Sequence, residues 1–187
     1  MSAVTTPFMT KMMATNLELY QAGEGVTASG VFYTAGSKYS IIANPFASGW
    51  FSSTGSGITM GLIVAIMLFS KRDDFKAIAK LAIPCGLFNI NEPIIFGIPM
   101  VMNAMFAVPF FLAPVACVCC GYLVQSLGLC PLFVIDVPWT TPVGLFGFLA
   151  SSGNIMGAIW QVVIIVGVST LIYTPFVIAA NRQEAEA

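Results

Sequence analysis

The sequence predicts an all-α integral membrane protein, built of spanning helices with one or two re-entrant or broken-helix elements. Three observations carry that expectation. The 187 residues are 58% hydrophobic and only 8% charged, against about 25% charged residues in soluble domains. The long uncharged runs lack the alternation of a membrane β-barrel, so their backbone groups must be satisfied within helices. Proline and glycine interrupt several of these runs, and broken backbone at membrane depth is tolerated only where it is buried in protein or lines a wet cavity. The formal net charge of −1 offers no basic field for nucleic acid.

Taken in order, the chain divides into an entry region (1–49), a membrane domain (50–180) and a short tail (181–187). The first twenty residues hold Lys11, Asn16 and Glu18 and offer no continuous apolar core, so they do not read as a signal peptide. Phe8, Met9, Met12, Met13 and Leu17 recur at near-helical spacing, which predicts an amphipathic helix over 2–21. Residues 22–49 are rich in Gly, Ser, Thr and Ala, with an Asn44-Pro45 turn signal, and read as loop or broken helix.

Residues 50–70 have the ~20-residue length of a span, with Trp50 placed to anchor an interface. Gly57 and Gly61 form a G-x-x-x-G that permits close helix approach. Packing accounts for Gly61, whereas Gly55-Ser56-Gly57, expected at a helix start, would offer free N–H groups to a ligand. Lys71, Arg72, Lys76 and Lys80, four of seven basic residues, place the following loop in the cytoplasm. Docking of a soluble partner is a second reading of the same cluster.

Pro84–Pro99, P-C-G-L-F-N-I-N-E-P-I-I-F-G-I-P, carries the only acid between Lys80 and Asp136, Glu92. An ionised carboxylate is costly there unless it is paired, hydrogen-bonded or wetted. Pro93 lacks an N–H, so this stretch is expected to be re-entrant and to present Glu92 to a polar ligand. The alternative is an interfacial loop whose acid meets only water. Residues 100–127 form a second span kinked at Pro109 and Pro114. Residues 131–150 hold P-W-T-T-P at 138–142 and form a second candidate re-entrant element. Trp139 could stack on the C–H face of a sugar with Thr140 at its rim, or could be an ordinary interfacial tryptophan. Residues 154–180 form the third span. A re-entrant Glu92 segment puts Arg182 on the cytoplasmic side, in keeping with the positive-inside rule.

No metal site or cofactor is expected. The chain has no histidine, and its five cysteines read as buried thiols without disulfides.

At N-I-N-E-P-I-I-F-G-I-P-M-V-M-N, residues 89–103, the chain resembles the lactose/cellobiose/chitobiose family of enzyme IIC permeases of the bacterial phosphotransferase system. Ser53–Gly61 and the P-W-T-T-P segment are similar to that family in the same order. The resemblance implies a multi-pass protein of the bacterial cytoplasmic membrane that imports a disaccharide or β-glucoside. The sugar is phosphorylated as it enters, by a phosphocysteine on a IIB protein or domain. It implies a homodimer, and a C-terminal domain holding sugar between broken helices. The family's glutamate, here Glu92, takes the catalytic place at the sugar 6-hydroxyl, beside Asn91 and Trp139. Thr140, Ser56 and Gly57 complete the expected substrate-binding set.

The chain departs from the family pattern in two ways: it lacks both the dimer-forming N-terminal helices and a G-I-H-G segment. It therefore reads as the C-terminal portion of a permease. A truncated non-transporting remnant and an ion-coupled secondary sugar transporter are the competing readings.

Overall fold

The computed structural model describes residues 2–27, 30–98, 100 and 104–185. Pro99, residues 101–103 at the end of the motif, and the last two residues of the expected tail lie outside the described residues. Helix α1 spans Ser2–Gln21. Of its apolar stripe Phe8 is exposed, whereas Met9, Met12, Met13 and Leu17 are half-buried, and the polar Asn16 is fully buried. The Asn16 amide donates to the Ser40 carbonyl (2.7 Å) and accepts from the Ser40 N–H (2.9 Å), as a neighbouring strand would.

The expected loop over 22–49 contains a two-residue hairpin, β1 (Val26–Thr27) against β2 (Gly30–Val31), a small departure from an all-helical chain. Asn44-Pro45 opens helix α2 (Asn44–Trp50) instead of a turn, because proline is harmless in a first turn, where its N–H has no partner to lose.

The expected span over 50–70 is shorter than its hydropathy indicates. Residues 51–59 are turns, and helix α3 is confined to Met60–Phe69. Thr54, Gly55, Gly57 and Ile58 all have positive φ, which no right-handed helix accommodates. Trp50 is not an interfacial anchor. It is fully buried and stacks on Phe133, with ring centroids 5.2 Å apart.

Helix α4 (Asp73–Leu87) rises out of the charged cluster and contains Pro84. The re-entrant element expected over Pro84–Pro99 therefore turns at 88–91, not at its prolines. There the Asn89 N–H bonds the Gly86 carbonyl (3.1 Å) and the Ile90 N–H bonds the Cys85 carbonyl (3.0 Å). This is a Schellman closure, with Asn89 in the left-handed position at φ +64°. Helix α5 (Glu92–Gly97) then packs back on α4. Pro93 sits in the first turn of α5, so it starts a helix and breaks none.

Helix α6 (Ala104–Ser126) contains Pro109 and Pro114. An extended arm from 131 leads to turns around 138–144 and returns as helix α7 (Leu145–Ala150). The Ala150 carbonyl accepts from the N–H groups of Val134 (2.8 Å) and Ile135 (3.2 Å), which closes this hairpin. Helix α8 (Ile155–Val162), a π-helical segment (Val163–Val168) and helix α9 (Ser169–Ala185) run on continuously, so the first residues of the expected tail are helical. Among the described residues two helices are long and apolar enough to cross a membrane, Met105–Ser126 and Ile155–Arg182.

Two buried clusters hold these elements. One surrounds Trp50, Phe133 and Phe146; the other surrounds Leu62, Ile66, Ile94, Phe106 and Tyr173, where α3, α4, α6 and α9 meet. All five cysteines are free, but only Cys117 and Cys130 are buried, and Cys119 is exposed.

Candidate functional site

Two hairpin tips and one turn segment converge on a single cleft. The first tip is residues 88–91, between α4 and α5. The second is residues 138–144, on the way into α7. The third piece is the run of turns over 51–59.

Asn89 ties the three together. Its Schellman position turns the side chain away from its own helix. Oδ1 accepts from the buried Thr54 N–H at 2.8 Å, while Nδ2 donates to the carbonyls of Thr141 (2.9 Å) and Trp139. Asn91, at the N-terminus of α5, donates from Nδ2 to the Ser56 carbonyl at 2.7 Å. A Cβ on Gly55 would overlap the Asn91 amide, and one on Gly57 would overlap the Phe110 ring; both positions have positive φ. Only glycine fits the turn and the close approach together. The buried Tyr173 hydroxyl holds the Gly57 carbonyl at 2.7 Å. Gln161, also fully buried, accepts from the N–H groups of Gly144 (2.9 Å) and Gly147 (2.7 Å) and donates to the Gly49 carbonyl (3.2 Å). It thereby braces the second tip from behind.

The resulting cleft has a volume of about 560 Å³, inside the ~300–1,000 Å³ range of small-molecule sites. Ser52, Ser56, Asn89, Asn91 and Glu92 supply its polar groups. Phe51, Phe110, Phe111 and Trp139 supply aromatic walls. Glu92 is exposed to this space, and its carboxylate makes no hydrogen bond or ion pair with the described residues. Trp139 is 64% exposed, with its indole open on the cleft. A lone carboxylate, several amide and hydroxyl groups and an aromatic face have the chemistry to meet a polyhydroxylated ring.

Five of the six residues singled out in the sequence therefore line one cleft: Ser56, Gly57, Asn91, Glu92 and Trp139. Thr140 is exposed and is not among the lining residues; the neighbouring Thr141 meets the site instead, through its backbone carbonyl. Gly55-Ser56-Gly57 does not present N–H groups at a helix start, because α3 begins only after Thr59 and the glycines lie in the turns before it. The aromatic walls from Phe51, Phe110 and Phe111 were not legible, since phenylalanine in an apolar run looks like lipid-facing surface. The one available signal was the Pro109–Pro114 pair bracketing the two α6 phenylalanines.

Comparison with known proteins identifies the family and supports the fold. Residues 1–114 match the family model described as phosphotransferase system, EIIC. The chain is 41% identical over 138 residues to the cellobiose-specific EIIC component of the PTS system of Lactococcus lactis subsp. lactis (strain IL1403), covering 74% of this chain and 27% of that protein. It is 36% identical over 182 residues to the lichenan permease IIC component of Bacillus subtilis (strain 168), covering 97% of this chain and 37% of that protein. The crystal structure of the transporter ChbC, the IIC component from the N,N'-diacetylchitobiose-specific phosphotransferase system, superposes with a TM-score of 0.83 at 32% identity, over 97% of this chain and 39% of that one. The chain thus spans between about a quarter and two-fifths of the length of these relatives.

Proposed function

The chain belongs to the phosphotransferase system EIIC family, and from that premise we propose that it forms the sugar-binding part of a permease importing a disaccharide or β-glucoside of the cellobiose, lactose or chitobiose type. The observation that carries this reading is the cleft, in which an unpartnered Glu92 carboxylate faces Trp139 across space lined by Asn91 and Ser56. In it the sugar's 6-hydroxyl lies at Glu92 and the ring's C–H face lies on the Trp139 indole.

A phosphorylated IIB protein or domain supplies the phosphoryl group. The 6-oxygen attacks phosphorus, the phosphorus–sulfur bond of the phosphocysteine breaks, the thiolate leaves, and the hydroxyl proton passes to Glu92 as general base. Positioning of the hydroxyl supplies most of the remaining acceleration, since phosphoryl transfer asks for little covalent chemistry from the protein. The chain is multi-pass in the cytoplasmic membrane, with Met105–Ser126 and Ile155–Arg182 as spans and the hairpin tips meeting within the bilayer. The Lys71–Lys80 cluster then faces the cytoplasm, and the assembly is dimeric.

The test is phosphoenolpyruvate-dependent phosphorylation of cellobiose in membranes containing the full-length protein. Glu92→Gln abolishes turnover at unchanged protein level if the reading is right; undiminished turnover removes Glu92 from the chemistry.

A further inference from the structure

Glu92 and Asp136 are the two acids in the entire stretch between Lys80 and Arg182, and the chemistry above uses one of them. Asp136 lies on the extended arm three residues before Trp139. Its Oδ2 accepts a hydrogen bond from Asn44 Nδ2 at 3.2 Å. The other carboxylate oxygen of Asp136 and the Oδ1 of Asn44 make no hydrogen bond with the described residues. Ser48 stands one turn along α2 from Asn44. These three polar side chains, with Val137 and Pro138, line a second cleft of about 470 Å³ whose remaining wall is Trp139. The same tryptophan also lines the Glu92 cleft, so the two polar spaces share one exposed wall residue.

We propose that the second cleft holds the outer ring of a β-linked disaccharide, the ring remote from Glu92, with Asp136 and Asn44 accepting its hydroxyl protons. Trp139 then lies under the glycosidic link and touches both rings. This rests on the sugar reading of the Glu92 cleft and adds to it the feature that distinguishes two rings from one. The chemistry is specific: neighbouring hydroxyls of a hexose are donors, and the open oxygens here are acceptors already fixed by the Asn44–Asp136 bond. Hydrogen bonds to a charged group are the stronger kind. A purely structural Asn44–Asp136 tie between α2 and the arm would influence both clefts alike.

The experiment titrates the full-length protein, purified in detergent, with cellobiose and with methyl β-glucoside by calorimetry. Asp136→Asn keeps the shape of the side chain and a hydrogen-bonding group toward Asn44, so the fold is retained. It is expected to weaken cellobiose about tenfold, the loss of one charged hydrogen bond, and to leave methyl β-glucoside unchanged. Ser48→Ala, which leaves the Asn44–Asp136 bond in place, is expected to give a smaller loss confined to cellobiose. Equal losses on both ligands, or none on either, overturn the proposal. Glu92→Gln serves as the reference: weakening of both ligands there sustains the sugar reading even when the Asp136 result is negative. A wild-type protein that binds neither ligand removes both.

Discussion

Removing the Asn89 side chain tests whether three separate segments are held in register by one amide. Asn89 is 5% exposed and makes three hydrogen bonds across the chain. Asn89→Gly deletes all three while easing the left-handed backbone, so it isolates the side chain from the strain. Its cost is set by what each former partner can find. Thr54 is fully buried, and its N–H loses its acceptor, at about 1–3 kcal/mol. The carbonyl of Trp139, a largely exposed residue, regains water and adds little, and that of the half-exposed Thr141 behaves similarly. Asn89→Ala carries the same loss plus about 1 kcal/mol for a Cβ in the left-handed region. Thermal unfolding in detergent therefore ranks wild type above Asn89→Gly, and Asn89→Gly above Asn89→Ala. Because the two tips part when the amide goes, cellobiose affinity falls in both variants by more than the stability loss alone accounts for. Unchanged melting together with unchanged affinity would refute the view that Asn89 joins the tips.

Three further outcomes are expected. Trp139→Ala removes sugar binding, measured by calorimetry, without lowering the melting temperature, because an indole 64% exposed contributes little to the core. Gln161→Leu leaves the N–H groups of Gly144 and Gly147 without their acceptor; at about 1–3 kcal/mol for each, thermal unfolding shifts markedly and the Trp139 tip loosens. Gly61→Val forces a side chain into Ser169 on α9, costing about 1–3 kcal/mol by overpacking, visible in thermal unfolding. Cellobiose affinity measured below the transition is little changed, since Gly61 does not line the cleft.

The residues that line the candidate cleft were more legible in the sequence than the elements carrying them. A lone acid in an uncharged run and a tryptophan among prolines are conspicuous because each is expensive or unusual in an apolar setting. That is why Glu92 and Trp139 were legible from their setting, whereas Asn91 was named only through the family resemblance; all three line one cleft. Gly61 was read as a packing residue, and it lies against Ser169. The breaks were harder to place. Pro93 was read as the break and Pro84 as the start of the re-entrant element, yet Pro84 is accommodated within α4 and Pro93 begins α5; the chain turns between them, at Asn89. Hydropathy also overstated α3, because an apolar composition does not reveal that Thr54 and Ile58 adopt positive φ. Trp50 and Trp139 are the same residue type in similar company, yet one is buried against Phe133 and the other opens on the cleft. That distinction belongs to tertiary packing. The role of Asn89 was hidden for a related reason: its partners lie 35, 50 and 52 residues away.

The central claim is that the Glu92 carboxylate meets the 6-hydroxyl of a bound sugar. A two-by-two comparison tests it most directly: calorimetric affinity of wild type and Glu92→Gln for methyl β-glucoside and for its 6-deoxy analogue. The account predicts that deleting the 6-hydroxyl weakens binding to wild type by about tenfold or more, the value of a hydrogen bond to a charged group, and that most of this penalty vanishes in Glu92→Gln. The same penalty in both proteins would place the 6-hydroxyl somewhere other than Glu92 and contradict the account.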